Sequence, residues 1–180
     1  MKKIEIEIPD GKKAEWVNGV LTLVDEKPKD ITERVKTFGD ACKELGGAHP
    51  FVESYFRCES LASRDDSCDT DVIAYLKLRI ICAALNEGWQ PKLTEDEHRY
   101  CPWFVMPSKT EIENMSENEK EKLSMIDAGG YYIVIKHAGV VPLYARVNVV
   151  SHLCLKTEQL AEYCGRQFID IWADYLLRRK

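Results

Sequence analysis

Residues able to do chemistry are thinly spread in this chain, and few stand at spacings that let them act together. The closest pairing is His98-x-x-Cys101. A histidine at that distance can share a metal with the cysteine or take its proton. Zinc, however, needs a second closely spaced pair, and a thiol nucleophile needs its base held beside it in space. No second pair follows, and Cys58 and Cys68 are too widely spaced for a zinc knuckle. Asp65-Asp66 and Asp69-x-Asp71 offer paired carboxylates, which bind hard cations or divide acid and base roles. Such pairs more often make a solvated loop and a helix cap. Gly129-Gly130 precedes an apolar run but lacks the lysine of a phosphate loop, and no Gly-x-Ser-x-Gly elbow is present. No metal or cofactor is expected, and a catalytic role less than a binding one.

The aromatic group Trp89, Tyr100, Trp103 and Phe104 is the next candidate. Trp and Tyr combine apolar area with a polar tip, which suits a ligand platform. Pro91 and Pro102 bracket the group, so it reads as one irregular segment whose rings gather to bind a ligand or to anchor the loop. A further set lies in residues 128–155, which contain no acidic residue. Its candidate contact residues are Tyr131, Tyr132, His137, Tyr144, Arg146, Asn148 and His152. Tyrosine supplies rigid amphipathic contact area, although in a strand only alternate members face outward. Glu, Gln, Trp and Met are missing from this stretch and Lys136 is its one lysine. Codons ending in a pyrimidine cannot encode those five types, and a buried sheet would also avoid most of them.

The composition restricts the partners. The 180 residues carry 30 acidic against 25 basic side chains, a net charge of −5, with the bases scattered. Duplex nucleic acid recognition normally needs a basic face, so it is disfavoured. With 45% apolar and 31% charged residues the chain is of ordinary globular composition and long enough to bury a core without staples. It fits one domain, 1–180. The start Met1-Lys2-Lys3-Ile4 is not followed by the apolar core of an export signal, and no stretch is long and apolar enough for a membrane span. A cytoplasmic location is therefore expected. The seven cysteines then read as buried thiols rather than a disulfide framework.

The elements that must position these residues read as an α+β chain. Ile4, Ile6 and Ile8 alternate with charge, and Asp10-Gly11 turns the chain toward a second strand over 16–24, a hairpin or arm within 1–27. Residues 30–127 are mostly helical. Asp30 with Glu33 opens a helix from Ile31 to Leu45 that Gly46-Gly47 closes. A second helix covers Phe51 to Ala62 and stops at the polar loop from Arg64 to Ser67. The strongest runs from Asp69 to Trp89, with Ile73, Leu76, Ile80 and Ala83 on one face and a stripe wide enough for a central position. Thr94 with Glu97 makes a short turn, and Ser108 with Glu111 and Ser116 with Glu119 open two short acidic helices. Residues 128–180 supply a small antiparallel sheet, with strands at Tyr131–Lys136, Val140–Val149 and Leu153–Leu155. Thr157 caps one final helix, in which Leu160, Cys164, Phe168, Ile171 and Tyr175 share a face.

Three stretches carry a resemblance: 84–89 (Ala-Leu-Asn-Glu-Gly-Trp), Arg99-Tyr100-x-Pro102-Trp103-Phe104, and the run from Leu153 through Leu160-Ala161-Glu162-Tyr163 to Phe168. From about Ile31 to Leu176 the chain resembles a family without assigned function that is common in gut bacteria and their phages or prophages. In such relatives the segment before the Leu-Ala-Glu-Tyr helix varies widely, and some resemble the variable proteins of diversity-generating retroelements, which display changing side chains on a C-type-lectin-like scaffold. This chain departs from them in its apolar segment and in Val150-Ser151-His152-Leu153, where Gly-Ser-Arg-Leu would stand. The resemblance implies a phage- or mobile-element-associated binding protein with an unknown protein or carbohydrate ligand. Two alternatives stand beside it: a structural or assembly component of a virion or mobile element, held together by an apolar surface, and a small enzyme centred on His98 and Cys101.

Overall fold

The computed structural model describes residues 6–26, 28–65, 70–92, 94, 97–122, 125–128, 131–140 and 151–177. Over these the chain is α+β, combining helices with two small antiparallel sheets. The first sheet is a hairpin of β1 (Lys12–Val17) and β2 (Val20–Asp25). Its turn is Asn18-Gly19, not Asp10-Gly11, so the strand expected over 16–24 is divided. Both turn residues take positive φ, 50° and 80°. That conformation matches the right-handed twist of the flanking strands, and Asn-Gly reaches it at little cost. Residues 6–9 are not a strand.

The helix expected from Ile31 to Leu45 is two: α1 (Ile31–Arg34) and α2 (Phe38–Leu45). Asp30 caps the first by accepting the Thr32 N–H at 2.8 Å. Thr37 and Asp40 then form a complete capping box, which restarts the helix after Val35 has turned inward. The carbonyls freed at the break are met from the C-terminal part of the chain. The Tyr163 hydroxyl donates to Val35 at 2.8 Å, and the Gln167 amide donates to Lys36 at 2.8 Å. Gly46 closes α2 at φ 86°.

Helix α3 (Pro50–Asp65) runs past Ala62, through residues expected to loop, because no proline or glycine after Pro50 interrupts it. The rest of that loop, Asp66 and Ser67, lies outside the described residues, as do residues 68 and 69. Helix α4 (Thr70–Leu85) is central, with Ala74, Leu78, Ile80, Ile81, Cys82, Ala84 and Leu85 all buried. The buried face is centred on Ala74, Leu78, Ile81 and Leu85 rather than on Ile73, Leu76 and Ala83, which are half-buried. So apolar a helix is enclosed from several sides, here by α2, by α3 and by the C-terminal helix α8 (Ile169–Leu177).

The second sheet has the order β3-β5-β4, from β3 (Tyr100–Val105), β4 (Met125–Ala128) and β5 (Tyr131–Val140). Two short helices, α5 (Lys109–Glu113) and α6 (Glu117–Lys122), connect β3 to β4. Ser108 and Glu111 form the expected capping box on α5. The aromatic segment read as irregular is thus an edge strand, the position where a proline such as Pro102 is tolerated within a sheet. Its pairing slips between Trp103 and Phe104, opposite His137 and Ile135. The strand expected at Tyr131–Lys136 runs on without a break through residues 137–139 to Val140; the rest of the strand expected at Val140–Val149 falls within residues 141–150, which lie outside the described residues. The third expected strand shrinks to one bridge, Leu155 with Tyr100, after a 3-10 turn at Ser151–Leu153.

The final helix also divides, into α7 (Glu158–Gln167) and α8, where Phe168 leaves helical geometry and turns into the core. Gly165 brings α7 close against the sheet: a Cβ there would collide with Ile135 and Pro102.

Candidate functional site

The turn after α4 builds one wall of a cavity. Glu87 and Gly88 both take left-handed φ, 49° and 84°, and so swing Trp89 back toward α3. For Glu87 that conformation is strained. Its carboxylate is held by Arg34 at 2.7 Å and Lys156 at 2.9 Å, and both cations, Lys156 first, keep its pKa below the usual carboxylate range. Beside it Asn86, only 6% exposed, donates to the Cys154 carbonyl at 2.9 Å and accepts from the Lys156 N–H at 3.0 Å. One side chain therefore ties the end of α4 to the 154–156 segment.

Between these walls lies a cavity of about 570 Å³, lined by the start of α3 (His49, Pro50, Phe51), by Arg79, Ala83 and Asn86 of α4, by residues 88–91 and by His152, Cys154 and Leu45. Its size is that of a small-molecule site. Arg79 lies over the Phe51 ring, 4.0 Å from its centre, and its Nε is buried with no hydrogen-bond acceptor among the described residues. His49 Nδ1 accepts the Phe51 N–H at 3.2 Å. Its proton therefore sits on Nε2, which is left as a donor. Among the described residues, no carboxylate lines the cavity. In a chain of net charge −5, this wall presents a guanidinium, two imidazoles and an indole.

Two of the expected site residues, Trp89 and His152, come together here. Tyr100 and Trp103 do not join them. Tyr100 is half-buried against the core, and Trp103 is 52% exposed on the sheet edge beside Gly139. Phe104 goes inward to Trp172, ring centres 5.3 Å apart. Strand geometry turns successive side chains to opposite faces, so the aromatic segment cannot gather its rings as a loop would. Tyr131, Tyr132 and His137 are placed by backbone register alone, opposite Ala128, Asp127 and Trp103. Tyr144, Arg146 and Asn148 lie outside the described residues. Between them Ile133, Val134, Ile135 and Ala138 are core.

At the alternative centre, His98 is exposed and Cys101 buried. The Cys101 thiol contacts Cys154 at 3.4 Å, and that contact together with burial pushes its pKa far up. Cys101 is thus a protonated thiol, not a ready nucleophile. Among the described residues, no group of three or more His, Cys, Asp or Glu is arranged to hold a metal ion, and no helix is long and apolar enough to cross a membrane. Residues that sequence reasoning missed are His49, Phe51, Arg79, Asn86 and Cys154. Arg79 left the clearest trace, as a lone charge inside Leu78-Arg79-Ile80-Ile81.

Compared with known proteins, the chain matches no family model, no curated protein and no solved structure.

Proposed function

We propose that this is a binding protein, and that the cavity at the end of α4 takes a small anionic ligand with a flat apolar part. The observation that carries this reading is Arg79: a half-buried guanidinium facing a cavity that no carboxylate lines among the described residues. Such a charge gains most from an anionic partner, because charge-assisted hydrogen bonds are about twice as strong as neutral ones. Trp89 and Phe51 add apolar surface to the same lining. The test is a thermal-shift and tryptophan-fluorescence titration with aromatic carboxylates and nucleoside monophosphates. At one hundred times its Kd a ligand adds about 2.7 kcal/mol, which for a chain of this length raises Tm by roughly 5–10 °C. Arg79→Gln should weaken binding tenfold or more. If no member shifts Tm, or the variant binds equally, the reading fails.

A second reading, self-association, is favoured by the β1–β2 hairpin. Trp16 is 74% and Val20 64% exposed, with Leu21 and Leu23 exposed as well. Two strands alone are marginal in water. Antiparallel pairing of two copies about Ala14 would set Lys13 of one against Glu15 of the other and make a four-stranded sheet. The wider setting, a phage- or mobile-element-associated protein acting in a cytoplasm or a virion, rests on the sequence resemblance and belongs to the same proposal.

A further inference from the structure

Cys101 and Cys154 stand opposite one another where β3 meets the segment after the 3-10 turn. Tyr100 and Leu155 exchange two backbone hydrogen bonds, 3.1 and 2.8 Å long, in antiparallel sense. The next pair along such a ladder is a non-hydrogen-bonded one, whose Cα atoms lie about 4.5 Å apart. That is within the roughly 4.4–6.8 Å span that a disulfide bridges. The two sulfurs face each other at 3.4 Å. Of the buried thiols Cys82, Cys101, Cys154 and Cys164, Cys154 is the one that lines the cavity.

We propose that Cys154 and Cys101 form a dithiol–disulfide site, in which Cys154 exchanges with a small anionic disulfide of the glutathione class admitted by the cavity and Cys101 resolves the product. This rests on the anion-binding reading of the cavity for its choice of substrate, but not for the pairing of the two thiols. The Cys154 thiolate attacks one sulfur of the disulfide RSSR, and RS⁻ leaves and takes up a proton as the first RSH. With the Cys154 sulfur now in the mixed disulfide, the hydrogen bond that chiefly raised the Cys101 pKa is gone; Cys101 attacks that sulfur, RS⁻ leaves, and the Cys101 proton passes to it, giving the second RSH. Two electrons pass from the protein to RSSR, and the protein retains one new S–S bond. The surroundings favour this order. The hydrogen bond from Cys101, and the positive charge of buried Arg99 after it, draw the Cys154 thiol below its ordinary pKa, while Cys101 keeps its proton.

The experiment treats the folded full chain with oxidised glutathione, and separately with a neutral cyclic disulfide, oxidised dithiothreitol. Trapping of the remaining thiols and peptide mapping follow. The expected result is a Cys101–Cys154 link with two glutathiones released. Cys101→Ser should stall with glutathione held on Cys154, and Cys154→Ala should leave Cys101 unmodified. If either variant fails to fold, the wild-type map alone decides. A link between other cysteines, or one formed only in denaturant, overturns the proposal. Should Arg79→Gln slow the glutathione reaction tenfold and spare the neutral one, the cavity and the thiol pair both stand. A link formed equally by both reagents in Arg79→Gln supports the pair and removes the anion-binding reading. When neither reagent links the pair although anions still raise Tm, the dithiol proposal falls alone.

Discussion

At the scale of the residue, two neighbours hold the candidate site in shape. Asn86 satisfies a carbonyl and an N–H of the 154–156 segment from inside the core. Asn86→Leu strands both groups, each at about 1–3 kcal/mol. We expect a loss of roughly 2–4 kcal/mol in urea unfolding, together with weaker ligand binding because the cavity wall loses its tie. A loss under about 0.5 kcal/mol would mean water reaches both groups. Glu87 acts by charge. Its folded pKa lies below the ordinary 4.5, so the Lys156 and Arg34 contacts stabilise the fold above that pH. Their contribution should disappear as pH falls from 4.5 through the lower folded value. Being 40% exposed, the carboxylate contributes no more than about 1 kcal/mol. Unfolding of Glu87→Gln, followed from pH 7 to pH 3, should therefore converge on the wild type at the acid end. A gap that persists at pH 3 would assign the effect to packing.

At the scale of the element, the breaks in the helices matter as much as the helices. The capping box of Thr37 and Asp40 was present in the sequence, but the preceding Asp30 with Glu33 masked it by making one longer helix look sufficient. What makes the break tenable is distant in sequence, the hydroxyl of Tyr163 and the amide of Gln167. The same α7 depends on Gly165. Alanine there would gain up to about 1 kcal/mol of helix propensity and lose roughly 1–3 kcal/mol to overpacking against Ile135 and Pro102. Gly165→Ala should thus lower stability in thermal and urea unfolding, and a stabilised variant would show that α7 can move off the sheet.

At the scale of the whole molecule, the hairpin and the helical body differ in kind. The body buries a core of large apolar residues around α4 while leaving others such as Phe56, Leu61 and Met106 exposed, whereas the hairpin leaves Trp16, Val20, Leu21 and Leu23 all exposed. If it mediates self-association, sedimentation velocity should show a concentration-dependent larger species, which Trp16→Ser with Val20→Thr converts to monomer while Tm of the body is unchanged. A monomer at every concentration, in wild type and variant alike, removes that reading.

The sequence by itself determined the α+β class, the central place of α4, the caps at Asp30, Ser108 and Thr157, and the reading of the six described cysteines as thiols. Each follows from local periodicity or from a side chain bonding to backbone a few residues away. It did not determine that Tyr100–Val105 is an edge strand, because its partner Tyr131–Val140 lies some thirty residues on and a proline within it reads locally as irregular. Nor did it bring Arg79, His49, Trp89 and His152 to one cavity, or set Cys101 against Cys154. Those meetings depend on contacts between residues far apart in the chain. Only the packing of α3, α4 and the 151–156 segment decided them, since local spacing carries no record of which distant groups a core will bring together.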